Sequence, residues 1–460
     1  MRKCRRIILI QLLLAVFFLV GCTGAGTEST DSAVNTEVRS FADWTDCKVF
    51  QDIPVMRVSG TRIGEAVDYG AGTYIINVNG TSLEDYQSYL QVLEADGFVK
   101  YVDNGAEGLD GCVYSSTYTK EELVLTITHI VKTRITYIAA SDKMNLSENL
   151  FYSDENIADN TADAKTKLHM QELYAYGDSY IIQMKNGHFI MIDGGMQQDT
   201  LYLLDYLETL VPEGEKPVIE AWFVTHGHGD HIGAFYTFVS EPKNAERIYV
   251  EGVYFSEPSA KVCSVVSDKV QNVKYGSMAF KTSRGQTTKI YRPQTGQRYY
   301  FNDITIDILH TQEQLPSESW VYANDFNETS TLLLFTIEGQ KFLDAGDASE
   351  STINVVKRTY NQEYFKLDLL SVPHHGQNVY TSYIDWFDYK VLIYPTFLVG
   401  SQTSNWKQVE NKRLQARAEE CMSWGDGAKI LTFPYEIGTA KSLPMRDWIY
   451  HPDRKTPEPY

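Results

Sequence analysis

The strand-like run Val218–Val224 and the loop that follows it, Thr225-His226-Gly227-His228-Gly229-Asp230-His231, decide the fold of this chain of 460 residues. Four side chains that commonly bind metals fall within six positions of this loop: His226, His228, Asp230 and His231. The two glycines allow a tight turn that directs the first two histidines to one point and the Asp-His pair to a neighbouring one. Imidazole and carboxylate ligands suit divalent zinc, so the stretch predicts a metal site at a strand end.

Upstream of this loop, the sequence predicts a β-hairpin. Two apolar runs, residues 179–185 and 188–192, flank Asn186-Gly187, a dipeptide typical of tight hairpin turns. The second run ends in Asp193-Gly194-Gly195, where the glycines allow the backbone to turn sharply. Asp193 is interpreted either as a residue that orients or binds a metal ion or as an ordinary turn residue.

Two later strand ends carry further candidate ligands. Residues 341–347 read Lys-Phe-Leu-Asp-Ala-Gly-Asp, and residues 370–376 read Leu-Ser-Val-Pro-His-His-Gly. Together with the HxHxDH loop, and in the same order along the chain, these segments resemble the signature of the metallo-β-lactamase fold superfamily. The resemblance extends from about residue 168 to the mid-430s. It implies an α/β fold with a four-layer αββα sandwich, and a metal-dependent hydrolase.

The resemblance also implies a set of site residues and two divalent metal ions, zinc or alternatively manganese. The implied metal ligands are His226, His228, Asp230, His231, Asp347 and His375. Asp347 would bridge the two ions, and His375 is preferred to His374 because it directly precedes the glycine. A hydroxide between the ions would attack the substrate. The residues expected to act in catalysis beside it are Asp230, His374 and Asn378.

One departure from the family pattern affects the first metal site. Members with the full ligand set carry a further histidine upstream of the bridging aspartate, whereas residues 324–330 here read Asn-Asp-Phe-Asn-Glu-Thr-Ser. Asn327, His310, water or the substrate could take the missing place. The His-His-Gly sequence and this segment resemble the branch that contains the hydrolase domains of competence DNA-uptake channels and the secreted phosphorylcholine esterases.

Three functions therefore remain open at this point. The branch resemblance implies hydrolysis of phosphodiesters. The wider superfamily implies an acyl substrate such as a lactam or a lactone, and the missing histidine leaves room for a non-catalytic metal-binding protein. The expected partner is a small-molecule or cell-surface ester.

The N-terminus predicts export and lipid attachment. Residues 1–21 contain four cations and no acid, and their apolar run, residues 7–20, is too short to cross a bilayer comfortably. The ending Leu19-Val20-Gly21-Cys22 resembles a bacterial lipobox, which implies a signal peptide over residues 1–21 and lipid on Cys22. An ordinary cleaved signal or a short anchor helix is the alternative. Residues 22–39 predict a flexible tether, so we expect a lipoprotein on the extracytoplasmic side of the cell membrane.

The remaining chain predicts two folded parts. Residues 40–141 predict a small α+β accessory domain, with a helix that begins after Ser82 and ends before Gly97, and strands at 73–78, 122–130 and 134–139. In the run 122–130, apolar residues alternate mostly with threonines. Residues 142–165 predict a linker, and residues 166–460 predict the hydrolase domain.

Composition narrows the classes of function. Hydrophobic residues make up 43% and charged residues 22%, which excludes a mostly disordered, collagen-like or multi-span membrane chain. The formal net charge is −19, and the body is more acidic still because four cations lie in the first 21 residues. This charge argues against general nucleic-acid binding, although it leaves a local, metal-centred phosphate site open. The sequence leaves the oligomeric state and the disulfide pairing open.

Overall fold

Alternating and continuous apolar runs form three β-sheets in the computed structural model of the protein. The structure describes residues 40–41, 44–70, 72–104, 108–153, 164–265, 270–314, 326–377, 386–396, 408–425 and 427–446. The predicted signal peptide, the tether with Cys22, and Asn378 lie outside these residues. Among the residues described, no helix is both long and apolar enough to cross a membrane. The three sheets belong to one compact unit, Val38–Tyr460.

The first sheet has eight strands in the order β1-β3-β4-β8-β7-β6-β5, with β2 paired to β4. Its strands are β1 (Ser40–Phe41), β2 (Arg62–Ile63), β3 (Ala66–Asp68), β4 (Thr73–Asn79), β5 (Val99–Asp103), β6 (Val113–Lys120), β7 (Leu123–Ile130) and β8 (Ile135–Ser141). Helix α1 (Leu83–Ala95) begins at a capping box. Ser82 accepts a hydrogen bond from the backbone of Asp85 at 3.1 Å, and the Asp85 carboxylate accepts one from the Ser82 backbone at 2.7 Å. The predicted helix and its flanking strands are confirmed.

Both faces of the first sheet are covered. On one face, Leu125 and Ile127 pack in a core with residues of α1. On the other face, the threonines of β7 are buried as well, and the Thr128 hydroxyl donates to the carbonyl oxygen of Thr295 at 3.0 Å. The alternation of apolar residues and threonines therefore separates two packed faces, and the threonine face lies against the hydrolase part of the chain.

The second sheet has nine strands in the order β15-β14-β12-β11-β10-β9-β23-β24, with β13 paired to β12. Its strands are β9 (Lys167–Met170), β10 (Tyr180–Gln183), β11 (Phe189–Ile192), β12 (Val218–Val224), β13 (Tyr249–Val250), β14 (Gly252–Phe255), β15 (Lys289–Tyr291), β23 (Lys429–Thr432) and β24 (Lys441–Ser442). Strand β9 pairs antiparallel with β10 on one side and with β23, from near the C-terminal end of the described chain, on the other.

The third sheet has seven strands in sequence order. They are β16 (Arg298–Phe301), β17 (Ile304–His310), β18 (Leu332–Ile337), β19 (Gln340–Asp344), β20 (Lys366–Ser371), β21 (Asp388–Tyr394) and β22 (Glu420–Ser423). The second and third sheets share a plan: antiparallel strands come first, and parallel strands connected by helices follow.

The predicted hairpin is β10 and β11, which pair antiparallel with Gln183 opposite Phe189. Its turn is longer than the expected two residues. The backbone N–H of Met184 donates to the carbonyl oxygen of His188 at 2.9 Å, so three residues, Lys185 to Gly187, form the loop. Gly187 has a φ of 85°, and the positive φ of this glycine allows the extra residue to be accommodated.

Helices complete the αββα sandwich that the sequence predicts. They are α2 (Thr200–Glu208), α3 (Gly229–Ser240), α4 (Ala260–Val265), α5 (Gln271–Ser277), α6 (Glu350–Thr359) and α7 (Gln408–Arg417). Short 3-10 helices lie at Trp44–Asp46, Lys48–Phe50, Glu148–Leu150, Gln197–Asp199, Pro242–Arg247, Gln312–Gln314, Phe326–Thr329, Gln362–Phe365 and Pro373–Gly376.

Alternation along β18 shows how the third sheet is buried on both sides. Leu333 and Phe335 join the core that also contains the second sheet, α2 and α3. Leu332 and Leu334 join a different core, which contains apolar residues of α6 and α7 and also Ile75 and Val113 of the first sheet. The accessory part is thus built into the hydrolase core through the outer face of the third sheet.

Candidate metal centre

The carboxyl ends of parallel strands bring the candidate ligands to one edge of the sandwich. Asp193 follows β11 and His226 follows β12 in the second sheet, while Asp347 follows β19 and His375 follows β20 in the third sheet. Both strand pairs are parallel, so their carboxyl ends lie side by side. Such edges are where α/β sheets commonly bind ligands.

The loop after β12 is shaped by its first glycine. A Cβ atom on Gly227 would lie 2.9 Å from Cγ2 of Val270, so only glycine fits there without a shift of its neighbours. His228 is extended, with φ −75° and ψ 150°, and is the N-cap residue of α3. Asp230 and His231 therefore lie in the first helical turn, and the two pairs of candidate ligands are presented by different local structures.

The first cluster of ligand atoms, here called the four-residue group, consists of Asp230, His231, Asp347 and His375, and its atoms all lie within 4.8 Å of one another. Nε2 of His375 is 3.4 Å from Oδ2 of Asp230 and 3.5 Å from Oδ1 of Asp347. Nε2 of His231 is 3.2 Å from the same Asp347 oxygen. Two imidazoles and two carboxylates thus converge on one point.

The second cluster, the three-residue group, consists of His226, His228 and the same Asp347. Nε2 of His226 is 3.1 Å from Nδ1 of His228 and 3.7 Å from Oδ2 of Asp347. Asp347 therefore directs one oxygen to each group. The structure brings together all six metal ligands that the family resemblance implies, in two adjacent groups that share one carboxylate.

Asp193 positions a ligand. Its carboxylate accepts hydrogen bonds from the backbone of Thr225 at 2.8 Å, from the Thr225 hydroxyl at 2.6 Å and from Nδ1 of His231 at 2.7 Å. The bond to Nδ1 leaves Nε2 of His231 facing Asp347. His375 is oriented in the same way, because its Nδ1 donates to the carbonyl oxygen of Pro395 at 2.8 Å. Such partners fix the tautomer of metal-binding histidines.

The backbone is strained at the paired histidines. His374 and His375 have φ values of 53° and 56°, in the left-handed region that non-glycine residues seldom adopt. Residues with this backbone conformation cluster at functional sites. The conformation is unfavourable, so the surrounding structure must impose it. The adjacent Pro373 begins the short 3-10 helix that carries both histidines.

Burial and the carboxylates set the protonation of the two groups in opposite directions. Burial alone would lower the pKa of His231, but Asp347 and Asp193 raise it well above its usual value. Burial likewise opposes the charge of His375, yet Asp347 and Asp230 raise its pKa to about 9. Burial lowers the pKa of His226 well below its usual value. Without metal, protons on His231 and His375 balance the carboxylates of the four-residue group.

The residues fit divalent metal ions. Nε2 of His231, Nε2 of His375 and Oδ1 of Asp347 are buried, and within the described structure none of them has a hydrogen-bond partner. Buried polar atoms are nearly always paired, so three such atoms that converge on one point fit the ligand set of a bound cation. Imidazole and carboxylate donors suit zinc. The cysteines 47, 112, 263 and 421 are free thiols and belong to neither group.

The other predicted site residues lie around these groups. Nε2 of His374 is 3.8 Å from Oδ2 of Asp347, and its side chain is 24% exposed. Asn327 is buried in the 3-10 helix Phe326–Thr329, whose Phe326 ring lies 5.6 Å from the ring of His228. His310 is buried at the end of β17 and belongs to neither group of ligand atoms among the described residues.

Sequence reasoning missed Asp178. This residue is buried, its Oδ1 has no hydrogen-bond partner in the described structure, and its ligand atom lies within 4.8 Å of those of Asp193 and His231. Burial raises its pKa to about 7. Its backbone N–H donates to the carbonyl oxygen of Asp230 at 2.9 Å, which joins it to the ligand loop. The sequence Gly-Asp-Ser before a strand carries no signal that could have singled it out.

One comparison, with models of protein families, identifies a known domain in the chain. The family model described as metallo-beta-lactamase superfamily matches residues 175–392. No curated protein sequence matches the chain.

Solved structures that are similar to the chain at low sequence identity include the following three. The metallo-beta-lactamase fold protein YhfI from Bacillus subtilis is 15% identical, with a TM-score of 0.33, and the match covers 56% of this chain and 95% of that one. Zn(2+)-bound PqqB from Methylobacterium extorquens is 12% identical, with a TM-score of 0.33 and coverages of 54% and 84%. A diphosphatase from the PhnP family is 14% identical, with a TM-score of 0.30 and coverages of 50% and 85%.

Proposed function

We propose, from the premise that residues 175–392 form a metallo-beta-lactamase superfamily domain and that the protein is a metal-dependent hydrolase, that its substrates are phosphodiesters. The observation that carries the proposal is the sharing of Asp347 by the two ligand groups. A shared carboxylate is the arrangement expected for two neighbouring ions. Two-metal sites are common in enzymes that cleave phosphate esters, because the ions stabilise both the attacking and the leaving oxygen.

Divalent ions held there would supply an activated water and Lewis acidity. The two ligand groups are suited to different roles. The four-residue group offers a complete set of four protein ligands, as in closed zinc sites, whereas the three-residue group leaves a coordination position open, as catalytic zinc sites do. The histidine missing from the family pattern thus leaves a place at which the substrate can bind.

His374 is proposed as the group that hands a proton to the leaving oxygen. It borders Asp347, its side chain is partly exposed, and it is absent from both ligand groups. A histidine in that position can reach a bound substrate without giving up a metal ligand. Proton transfer from a positioned side chain contributes roughly 10²- to 10⁴-fold to the rate.

The choice of phosphodiesters over lactams or lactones rests on the branch resemblance of the His-His-Gly and Asn-x-x-Ser segments. The ligand set is compatible with it, because both groups consist of imidazoles and carboxylates without a thiolate, and such nitrogen and oxygen ligands suit zinc. The net charge of −19 favours compact substrates over long polyanions.

The test is a substrate panel with purified protein loaded with zinc or manganese. Bis-p-nitrophenyl phosphate and p-nitrophenyl phosphorylcholine should be hydrolysed with higher kcat/KM than a chromogenic lactam, a lactone or single-stranded DNA. His226→Ala should abolish the activity, and His188→Ala, the same change at a surface histidine that pairs with Glu220, should leave it intact. Faster hydrolysis of the lactam or of the lactone would refute the phosphodiester assignment.

We further propose that the protein works on the outer side of the cell membrane through lipid on Cys22. The lipobox-like ending Leu19-Val20-Gly21-Cys22 supports this location. Labelling of cells with a fatty-acid precursor should mark the wild type, and Cys22→Ser should remove the label while synthesis continues. Label that persists in the variant would contradict the proposal.

A further inference from the structure

A cavity of about 450 Å³ lies between the accessory part and the edge of the second sheet. Its apolar lining comes from both sides: Met144, Phe255, Val270, Met278, Ile290 and Tyr291. Phe255 and Tyr291 are the last residues of β14 and β15, so this part of the lining lies at the same sheet edge as the metal centre. Cavities of this size, largely apolar with a few polar groups, are typical of small-molecule sites.

Hydrogen bonds from the predicted linker and from the accessory part hold the cavity walls in place. The side-chain amide of Asn145 donates to the carbonyl oxygen of Ile290 at 3.0 Å, and its backbone forms a bridge with Tyr291. The Arg292 guanidinium donates to the carbonyl oxygens of Tyr69 at 3.2 Å and Glu257 at 2.7 Å. The cavity is therefore preformed, which lowers the entropic cost of binding.

The charge around the cavity is opposite to that of the whole chain. Its lining contains four cations, Lys143, Lys274, Lys289 and Arg292, and one acid, Glu257. The chain as a whole has 41 lysines and arginines against 60 acids. The three lysines are exposed, and within the described part of the chain none of them forms an ion pair. An apolar interior below a cationic rim is complementary to one class of ligand.

We propose that this cavity binds an anionic amphiphile, that is, a molecule with an apolar body and one carboxylate or phosphate group. The apolar body would contact Phe255, Val270 and Ile290. The anionic group would stay at the rim, where Lys274 and Lys289 meet it in contact with water. This site is separate from the two ligand groups and holds whether or not the substrates are phosphodiesters.

The cavity is nevertheless next to the metal-binding loop. Val270 is the residue that packs against Gly227, between His226 and His228, and Phe255 pairs with Val224 in the sheet register. Val270 therefore lines the cavity and also contacts the metal-binding loop.

The test measures calorimetric binding of decanoate, decanol and decyltrimethylammonium to the purified full-length protein. Decanoate should bind most tightly, because only it combines the apolar chain with a negative charge. The double variant Lys274→Glu/Lys289→Glu should weaken decanoate binding by about tenfold or more. The control Lys216→Glu/Lys243→Glu makes the same charge change at exposed lysines away from the cavity and should leave binding unchanged.

Two further variants keep the result independent of folding and of the metal site. Met144→Trp should narrow the cavity and weaken decanoate binding while circular dichroism and metal content stay as in the wild type. His226→Ala should lose hydrolysis and keep decanoate binding. Equal affinity for the anionic and cationic probes, binding that is unweakened in Met144→Trp, or binding that is lost in His226→Ala would overturn the proposal.

Discussion

The four-residue group and the three-residue group share Asp347 but are built differently. In the four-residue group, His231 and His375 are buried and each is fixed by a second hydrogen bond, to Asp193 and to the Pro395 carbonyl. In the three-residue group, His226 is buried and its Nδ1 lies 3.1 Å from the Thr225 hydroxyl, while His228 is only partly buried. The two groups therefore differ in the number of ligands and in the exposure of one of them: the four-residue group is suited to hold an ion, and the three-residue group is suited to bind substrate.

The largest effect should come from removing the residue that the groups share. Asp347→Ala should release the ions of both groups, and the loss of several kcal/mol of charge stabilisation corresponds to roughly 10³-fold in rate. Metal analysis of the purified variant, together with kcat/KM, measures both effects. Asp388→Ala, at an exposed aspartate that begins β21, is the control. A variant at Asp347 that keeps its full metal content would show that the groups are independent.

His374→Ala should separate catalysis from metal binding. Because His374 lies outside both groups, the metal content should stay unchanged while kcat falls about 10²-fold, as expected for loss of a proton donor. The matched change His375→Ala should instead remove metal from the four-residue group. If His374→Ala lost metal and His375→Ala kept it, the two adjacent histidines would have to exchange roles.

Asp193→Asn tests whether the hydrogen bond to Nδ1 of His231 contributes to metal affinity at the four-residue group. The variant weakens the acceptor for Nδ1 of His231, and loss of such a partner typically lowers metal affinity by about 10- to 100-fold. Competition with a zinc chelator should show that one of the two metal equivalents leaves more readily than in the wild type. Thr225→Val removes a hydroxyl that contacts both Asp193 and Nδ1 of His226, so it should instead weaken metal binding at the three-residue group. Unchanged chelator titration in Asp193→Asn would contradict the idea.

The smallest effect is a difference in proton release. The pKa of His375 is raised to about 9 and that of His231 is raised well above its usual value, so both are protonated at neutral pH in the metal-free protein, and metal must displace protons from the four-residue group. The lowered pKa of His226 means that this ligand is already neutral. Affinity at the four-residue group should therefore fall as pH drops below about 9, by roughly tenfold per pH unit for each proton. Calorimetry in buffers of different ionisation enthalpy counts the protons, and equal release from both groups would refute the assignment.

The sequence predicts the fold and the ligand set well because both depend on local signals. The HxHxDH loop, the Gly-Asp turn and the His-His-Gly loop each follow an apolar strand, and the order of these strands is enough to place them at one edge. The preference for His375 over His374 came from the glycine that follows it. In the structure the bond from Nδ1 of His375 to the Pro395 carbonyl, and the place of His375 in the four-residue group, give that preference a physical reason.

Other features could not be predicted because they depend on tertiary contacts. Asp178 is a residue before a strand like many others, and only burial beside His231 sets it apart. The threonines of β7 look like a solvated face, but the structure uses them as a packed one. The predicted linker, residues 142–165, contains Leu150, which is buried in the hydrolase core. This burial could not be predicted, because the sequence of a polar segment does not show which residues pack over an aliphatic side chain within it.

The pairing of β9 with β23 has a consequence for how the chain is made. Strand β9 begins at residue 167, and the strand that covers its outer side is not complete until residue 432. A ribosome finishes the first sheet and most of the second long before that point, so the growing polypeptide carries an unsealed edge with free N–H and C=O groups through most of its synthesis. A stop codon shortly before residue 429 would leave every proposed metal ligand in the chain but would remove β23. The truncated protein would then expose the unpaired edge of β9, so we expect it to aggregate or to be degraded as a misfolded protein.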